Sequence, residues 1–313
     1  MEGIKIIGTG HYAPSQVVSN NDLSKRVETS DEWITTRTGI KRRHLSENEN
    51  TSDLAYQAAK KAIENSHIDI NKLRYIIVAT FTPDHFTPST ACIVQEKLGL
   101  NDQPIMAFDI NAACSGFVYA LSVIKGLLKD DEYGLVIGSE VISKVIDWQD
   151  RGTCVLFGDG AGAAVVEKSS TPFYSYHNSK GNMTALVCPG RGLNSTETGY
   201  LQMDGKAVFK FAVEAINDAI KNVLAQSQLT LEDIDYVICH QANYRIISHV
   251  YKKLKADPQK FYMNLDEYGN TSAASIPMAL SEMNEKGLLQ EGQKIICVGF
   301  GAGLTWGATL FSW

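Results

Sequence analysis

Two stretches of the chain carry the same hydrophobic pattern. From Leu54, "LAYQAAKKAIENSHIDINKLRYIIVAT" sets small and apolar residues at helical spacing, then a short polar linker, then a β-branched apolar run. From Phe211, "FAVEAINDAIKNVLAQSQLTLEDIDYVICHQ" does the same. Ala55, Ala58, Ala62 and Ile63 align with Ala212, Ala215, Ala219 and Ile220. After a four-residue insertion, Ile70, Leu73 and Tyr75 align with Leu231, Ile234 and Tyr236. The stretches continue alike: "YGLVIGSEVIS" then "GAGAAVVEK" parallels "KIICVGFGAG" then "TWGATLFSW". Any two strand–helix units share such patterns, but a matched order over this length points to duplication. The pattern predicts an α/β protein of two similar halves, 1–170 and 171–313, each built on a buried mixed sheet. "SSTPFYSYHNSKGN" reads as the polar, turn-rich joint between them.

Composition narrows the class. A chain of 313 residues with 44% hydrophobic and 20% charged residues suits a globular protein of enzyme size. The formal net charge of −6 argues against nucleic-acid binding by bulk charge, so an acidic partner must find a local basic patch. The six cysteines include no CxxC pair, which indicates neither a zinc site nor a disulfide framework. Reduced thiols, no apolar run of membrane-spanning length and no basic-then-apolar start predict a cytoplasmic protein without a membrane partner.

Three loops carry candidate chemistry. In "FDINAACSGFVYAL", a strand-like run ends at small residues around Cys114, and Phe117, Ala120, Leu121, Ile124, Leu127 and Leu128 then recur at helical spacing. A cysteine at a helix start, with small neighbours that admit another molecule, suits a thiolate nucleophile. The same pattern also suits a small buried hydrophobic cysteine. His240 ends the strand-like "YVIC", with polar Gln241, Asn243 and Arg245 close behind; His44, His67, His177 and His249 lie in contexts that look solvated. Asn270, in "EYGNTSAASIPMAL", holds the second-half position equivalent to the Cys114 loop and precedes another run of small residues. Gly-Asn is also ordinary turn chemistry. The glycine runs "GDGAGA" and "GFGAG" are followed by strand-like residues, not by a helix that could hold a pyrophosphate, so a dinucleotide fold is rejected. Glycine there allows close backbone approach.

Together, "TSDEWITTRTGI", "DINAACSGF", "HQANYRI", "GNTSAASIP" and "GFGAGLTWG" resemble β-ketoacyl-[acyl carrier protein] synthase III, the initiating condensing enzyme of type II fatty-acid synthesis. The resemblance runs from about Gly3 to Trp313. It implies a thiolase-like five-layered αβαβα fold of two duplicated halves, a homodimer, and a Cys–His–Asn triad at Cys114, His240 and Asn270. It implies an oxyanion site from the backbone N–H groups of Cys114 and Ala302, where Ala302 takes the family's middle-glycine place, and a decarboxylation wall at Phe300. Trp33, Arg37, Thr38, Arg151 and Asn243 match the coenzyme A site, with adenine stacked between Trp33 and Arg151. Lys210, Arg245, Lys252 and Lys253 match residues that dock the acidic carrier protein, although Lys252, Lys253 and Lys255 also suit a solvated helix face. Thr87 stands where some members carry a phenylalanine that caps the partner's acyl pocket, and Phe86 next to it can refill that space. The partners implied are an acyl-CoA and malonyl-acyl carrier protein; no metal or further cofactor is implied.

Other members of the superfamily fit less well. A thiolase needs a second cysteine in the C-terminal glycine loop, and Cys297 lies short of it. Elongating synthases place a second histidine where Asn270 stands, and chalcone-type synthases lack the "TSDEW…RTGI" pattern. Members that make polyketides, quinolones or esters share almost every motif. A non-catalytic carrier-protein-binding subunit is disfavoured because all three triad residues are present.

Overall fold

The structure is a computed structural model that describes residues 3–190 and 199–313. Its first sheet runs Gly3–Tyr12, Gly160–Ser169, Tyr133–Glu140, Leu73–Ala79, Met106–Ile110. The last three strands are parallel, as strands joined through crossover helices are. Gly160–Ser169 joins them antiparallel, and Gly3–Tyr12 pairs antiparallel with it. The second sheet runs Phe173–Asn182, Gly303–Ser312, Lys294–Gly301, Tyr236–Cys239, which repeats the first four positions of the first sheet. Its fifth position is reduced to one parallel bridge between Val237 and Phe261.

The strand Phe173–Asn182 corrects the reading of that segment as a turn-rich joint. Its polar residues do not break it, because it lies at a sheet edge with 178–181 partly or wholly open to solvent while Gly303–Ser312 satisfies its backbone on the other side. The glycine runs behave as expected: both are followed by strands, Gly160–Ser169 and Gly303–Ser312.

Helices fill the remaining layers. Thr51–Ser66 covers the outer face of the first sheet with Ala55, Ala58, Ala59 and Ala62 buried, and Gly205–Ser227 covers the second with Ala212, Ala215 and Ala219. Between the sheets lie Gly116–Leu127 and Ser275–Glu285, which touch both. Their apolar faces, Phe117, Leu121 and Ile124 against Ile276, Ala279 and Leu280, form the central core. The layer order is therefore αβαβα.

Each central helix is entered by a tight turn, Ala113–Ser115 in one half and Ser272–Ala274 in the other. Ala113 (φ 47°) and Ser272 (φ 50°) share the left-handed conformation, and the two turns touch. The duplication thus brings the Cys114 and Asn270 loops together at the middle of the molecule.

Candidate active site

Cys114, His240 and Asn270 line one cavity of about 140 Å³, with Phe300 and Gly301 beside them. His240 follows the Tyr236–Cys239 strand, and its N–H donates to Val298 O at 2.8 Å. Its Nδ1 lies 2.7 Å from Ser275 Oγ, and its ring meets Phe300 edge-on at 5.1 Å between centroids. Burial lowers the His240 pKa to about 3, so the imidazole is neutral near pH 7. Asn270 is stitched to the neighbouring chain: its N–H donates to Leu156 O and its carbonyl accepts from Gly158 N. Its Oδ1 accepts from Ser272 N at 2.9 Å, which leaves the Nδ2 hydrogens as donors.

The expectation of a helix-stabilised thiolate needs correction. Burial moves the Cys114 thiol from an ordinary 9.0 to about 12. That is roughly 4 kcal/mol against the thiolate at about 1.4 kcal/mol per tenfold. A helix terminus supplies at most about 2 kcal/mol. Burial wins, and the resting group is a thiol.

A second cavity of about 160 Å³ shares Cys114, Phe157 and Leu186 with the first and continues past Phe81, Asn111, Cys188, Leu201, Ser272 and Ala302. Ala302 sits at the turn between Lys294–Gly301 and Gly303–Ser312 and lines this cavity with Cys114. Phe86 is 89% exposed and Thr87 is exposed; neither lines a cavity beside Cys114 of the same chain.

A surface cleft of about 550 Å³ leads inward, sharing Leu156, Gly205, Phe209 and Asn243 with the first cavity. All five residues assigned by resemblance to coenzyme A line it: Trp33, Arg37, Thr38, Arg151 and Asn243. Arg245 and Lys206 join Arg37 and Arg151, so its walls carry four cations and no acidic side chain, in a protein of net charge −6. Asn243 also caps the Tyr244–Leu254 helix by accepting from Arg245 N at 2.8 Å. The Arg151 guanidinium stands 4.9 Å from the Trp33 ring centroid and that of Arg37 4.5 Å. A flat ring between Trp33 and Arg151 needs about 7 Å, twice a van der Waals contact. At 4.9 Å, the gap between Trp33 and Arg151 is too narrow for a flat ring in this conformation.

Lys210, Lys252 and Lys253 are exposed and lie outside the cleft. Lys252 and Lys253 occupy the last turn of their helix, where cations suit the dipole whatever else they meet. Two of the histidines read as solvated are not. His44 bonds Pro14 O and Glu267, and His177 is packed against Tyr119 and bonds Ser122.

Sequence reasoning missed Ser275, Ser272, Glu140 and Lys206. The "TSAAS" run stood out for its small residues, yet nothing local showed that its two serines face His240 and Cys114.

A cysteine, a histidine and an asparagine gathered between the halves of an αβαβα duplication define the class: a thiolase-like condensing enzyme. Residues 108–181 match the family described as 3-Oxoacyl-[acyl-carrier-protein (ACP)] synthase III, and residues 224–313 match its C-terminal part. A Beta-ketoacyl-[acyl-carrier-protein] synthase III from Clostridium novyi (strain NT) is 51% identical over 326 residues, covering 100% of both chains. One from Clostridium acetobutylicum is 49% identical over 328 residues, covering 100% of this chain and 99% of the relative. The crystal structure of 3-oxoacyl-[acyl-carrier-protein] synthase III from Aquifex aeolicus VF5 superposes with a TM-score of 0.93 at 44% identity, covering 99% of this chain and 100% of that one. The chain belongs to the β-ketoacyl-[acyl carrier protein] synthase III family, acyltransferase-type condensing enzymes of fatty-acid synthesis.

Proposed function

We propose that the protein performs the decarboxylating Claisen condensation of a primer acyl-CoA with malonyl-[acyl carrier protein], giving β-ketoacyl-[acyl carrier protein], CO₂ and CoA by a ping-pong route through acyl-Cys114. The observation that carries this reading is the cation-walled cleft that shares Leu156, Gly205, Phe209 and Asn243 with a cavity lined by Cys114, His240 and Asn270. The Cys114 thiolate attacks the thioester carbonyl and CoA leaves. The malonyl group then loses CO₂, and its enolate oxygen accepts from His240 and Asn270. Ser275 Oγ lies 2.7 Å from His240 Nδ1; with the Ser275 hydroxyl as donor of that bond, the neutral ring carries its hydrogen on Nε2. A neutral donor suits an enolate, because it stabilises the oxygen without protonating the carbon nucleophile. The enolate carbon attacks acyl-Cys114, whose oxyanion accepts from the N–H groups of Cys114 and Ala302. Each such donor is worth about 3 kcal/mol in other enzymes. Phe300, edge-on to His240, gives the malonyl carboxylate an apolar wall that favours CO₂ loss.

On the same reading, Trp33, Arg37, Thr38, Arg151 and Asn243 hold CoA, with Lys206 added to the cations. Arg245, at the cleft mouth, is the best placed of the carrier-protein contacts; Lys210, Lys252 and Lys253 extend the basic surface. The protein works as a homodimer, and residues 1–170 and 171–313 are its halves. Support for the dimer comes from the unpaired edge strand Met106–Ile110, with Met106 54% exposed, and from exposed Phe86 nearby in sequence; Phe86 and Thr87 then cap the partner's acyl pocket. Six free cysteines suit the reducing cytoplasm. The test is intact-protein mass after incubation with acetyl-, isobutyryl- or octanoyl-CoA. A single acyl adduct, absent from Cys114→Ala, is expected, and its relative rates rank the primers. No adduct with any donor would favour the carrier-binding subunit instead.

A further inference from the structure

Glu140 is a fully buried carboxylate beside the nucleophile that the condensation chemistry leaves unused. It ends the Tyr133–Glu140 strand. Its Oε2 accepts from Thr80 Oγ1 at 3.0 Å, Thr82 N at 3.1 Å, Phe81 N at 3.2 Å and the Thr82 hydroxyl. Among the described residues, its Oε1 accepts only a long 3.3 Å share of the Phe81 bond. The turn that carries Ser272 touches both the Cys114 turn and the strand that ends at Glu140, and Ser272 lines the second cavity with Cys114, yet its hydroxyl is buried without a hydrogen-bond partner among the described residues.

The duplication shows that these groups are not needed for the fold. Gly138 and Gly299 occupy matching places: a Cβ on Gly138 would meet Ala273 O at 2.2 Å, and one on Gly299 would meet Ser115 Cα at 2.8 Å. Two residues further along, Glu140 therefore matches Gly301, and Ser272 matches Ala113. At the symmetry-related place, the strand end and the left-handed turn are built with Gly301 of the second half and Ala113 of the first. The equivalent place carries a carboxylate from the first half, Glu140, and an orphaned hydroxyl from the second, Ser272.

We propose that Ser272 and Glu140 form a relay for the Cys114 proton. This rests on the reading of Cys114 as the nucleophile. The S–H bond breaks as the proton passes to Ser272 Oγ, and Ser272 passes its own proton to Glu140 Oε1. A thiol and a carboxylate become a thiolate and a carboxylic acid, with one negative charge before and after. The proton returns by the same path when condensation expels Cys114 as thiolate. The CoA thiolate released earlier takes its proton from solvent. Burial raises both groups, Cys114 to about 12 and Glu140 to about 7, so the pair holds at most a single charge at neutral pH. The other ionisable groups in electrostatic reach of Glu140 among the described residues are Lys144, which also donates to Thr82 O and Pro83 O, and Cys188.

The test uses the full chain with Ser272→Ala. Removing an unpartnered buried hydroxyl is close to neutral for stability, and the Ser272 N–H bond to Asn270 survives. The relay predicts that acyl-Cys114 formation from acetyl-CoA, followed by intact mass, falls at least tenfold at pH 7. It also predicts that the loss shrinks as pH rises to about 9, where hydroxide replaces the relay. A wild-type rate, or the same loss at every pH, overturns the proposal. Glu140→Gln discriminates independently through iodoacetamide alkylation of Cys114. A merely structural Glu140 repels the thiolate, so its neutral replacement would speed alkylation and overturn the relay; slower alkylation supports it. An adduct that persists in Cys114→Ala would overturn the nucleophile assignment itself, and the relay with it.

Discussion

Gly301 stands directly against Cys114: a Cβ on it would lie 2.8 Å from the Cys114 amide nitrogen and 3.3 Å from Sγ. Both are closer than a settled contact. Cys114 and the backbone that faces it are thus held by the absence of a side chain in the other half of the molecule. Gly301→Ala is expected to displace Cys114 and cut acyl-adduct formation by at least tenfold, about 1.4 kcal/mol in the barrier, with the fold intact by circular dichroism. An adduct rate equal to wild type would show that the Cys114 loop yields without cost.

Ser275 positions His240. Ser275→Ala leaves Nδ1 buried without its partner and frees the ring to place its hydrogen on the wrong nitrogen. Condensation is expected to fall by about tenfold to a hundredfold, on the order of 1.4–2.7 kcal/mol, while acylation of Cys114 stays within twofold. Ser275→Thr, which keeps the hydroxyl, should recover most of the rate. Equal losses in acylation and condensation would remove Ser275 from this role.

Asn270→Ala separates the two half-reactions in the same way. It should leave acyl-Cys114 formation near wild type and reduce CO₂ release from malonyl carrier protein by about a hundredfold or more. Cys114→Ser should abolish acyl transfer. Normal condensation by Asn270→Ala would sink the enolate assignment.

The stability of the protein carries a signature of His240. Unfolded, this histidine titrates near its ordinary 6.5; folded, it refuses the proton down to about 3. Between those values the unfolded state binds the extra proton, so stability drops by about 1.4 kcal/mol per unit as pH falls, and the contribution is complete above 6.5. Glu140 acts with the opposite sign: its folded pKa is raised to about 7 from 4.5, so it costs stability as pH rises through that window. Urea unfolding at about pH 6.5, 5.5 and 4.5 should therefore show His240→Asn losing less stability on acidification than wild type. Parallel curves would mean that His240 titrates normally in the folded state.

The cleft cations should act on binding and not on chemistry. Lys206→Ala and Arg245→Ala are expected to raise KM for acyl-CoA several-fold with kcat nearly unchanged, and the effect should fade at high salt as screening shortens. A change in kcat alone would place these residues elsewhere in the cycle.

The sequence alone determined the duplication of two α/β halves, because helix and strand periodicity is written in near neighbours: Ala55, Ala58 and Ala62 against Ala212, Ala215 and Ala219; the αβαβα layer order was implied by the family resemblance. It also marked Cys114, His240 and Asn270, each set off by an abrupt change from apolar strand to small or polar loop. It misjudged residues 173–182, since a polar edge strand is formed by its partner Gly303–Ser312 and not by its own pattern. Only the tertiary structure decided the ionisation of the site. Desolvation of Cys114 and His240 depends on what surrounds them from both halves, and that burial reverses the charge state a helix end alone suggests. Ser275, Ser272 and Glu140 entered for the same reason: their partners lie 35 residues or more away in the chain, or across the duplication, where no local spacing records them.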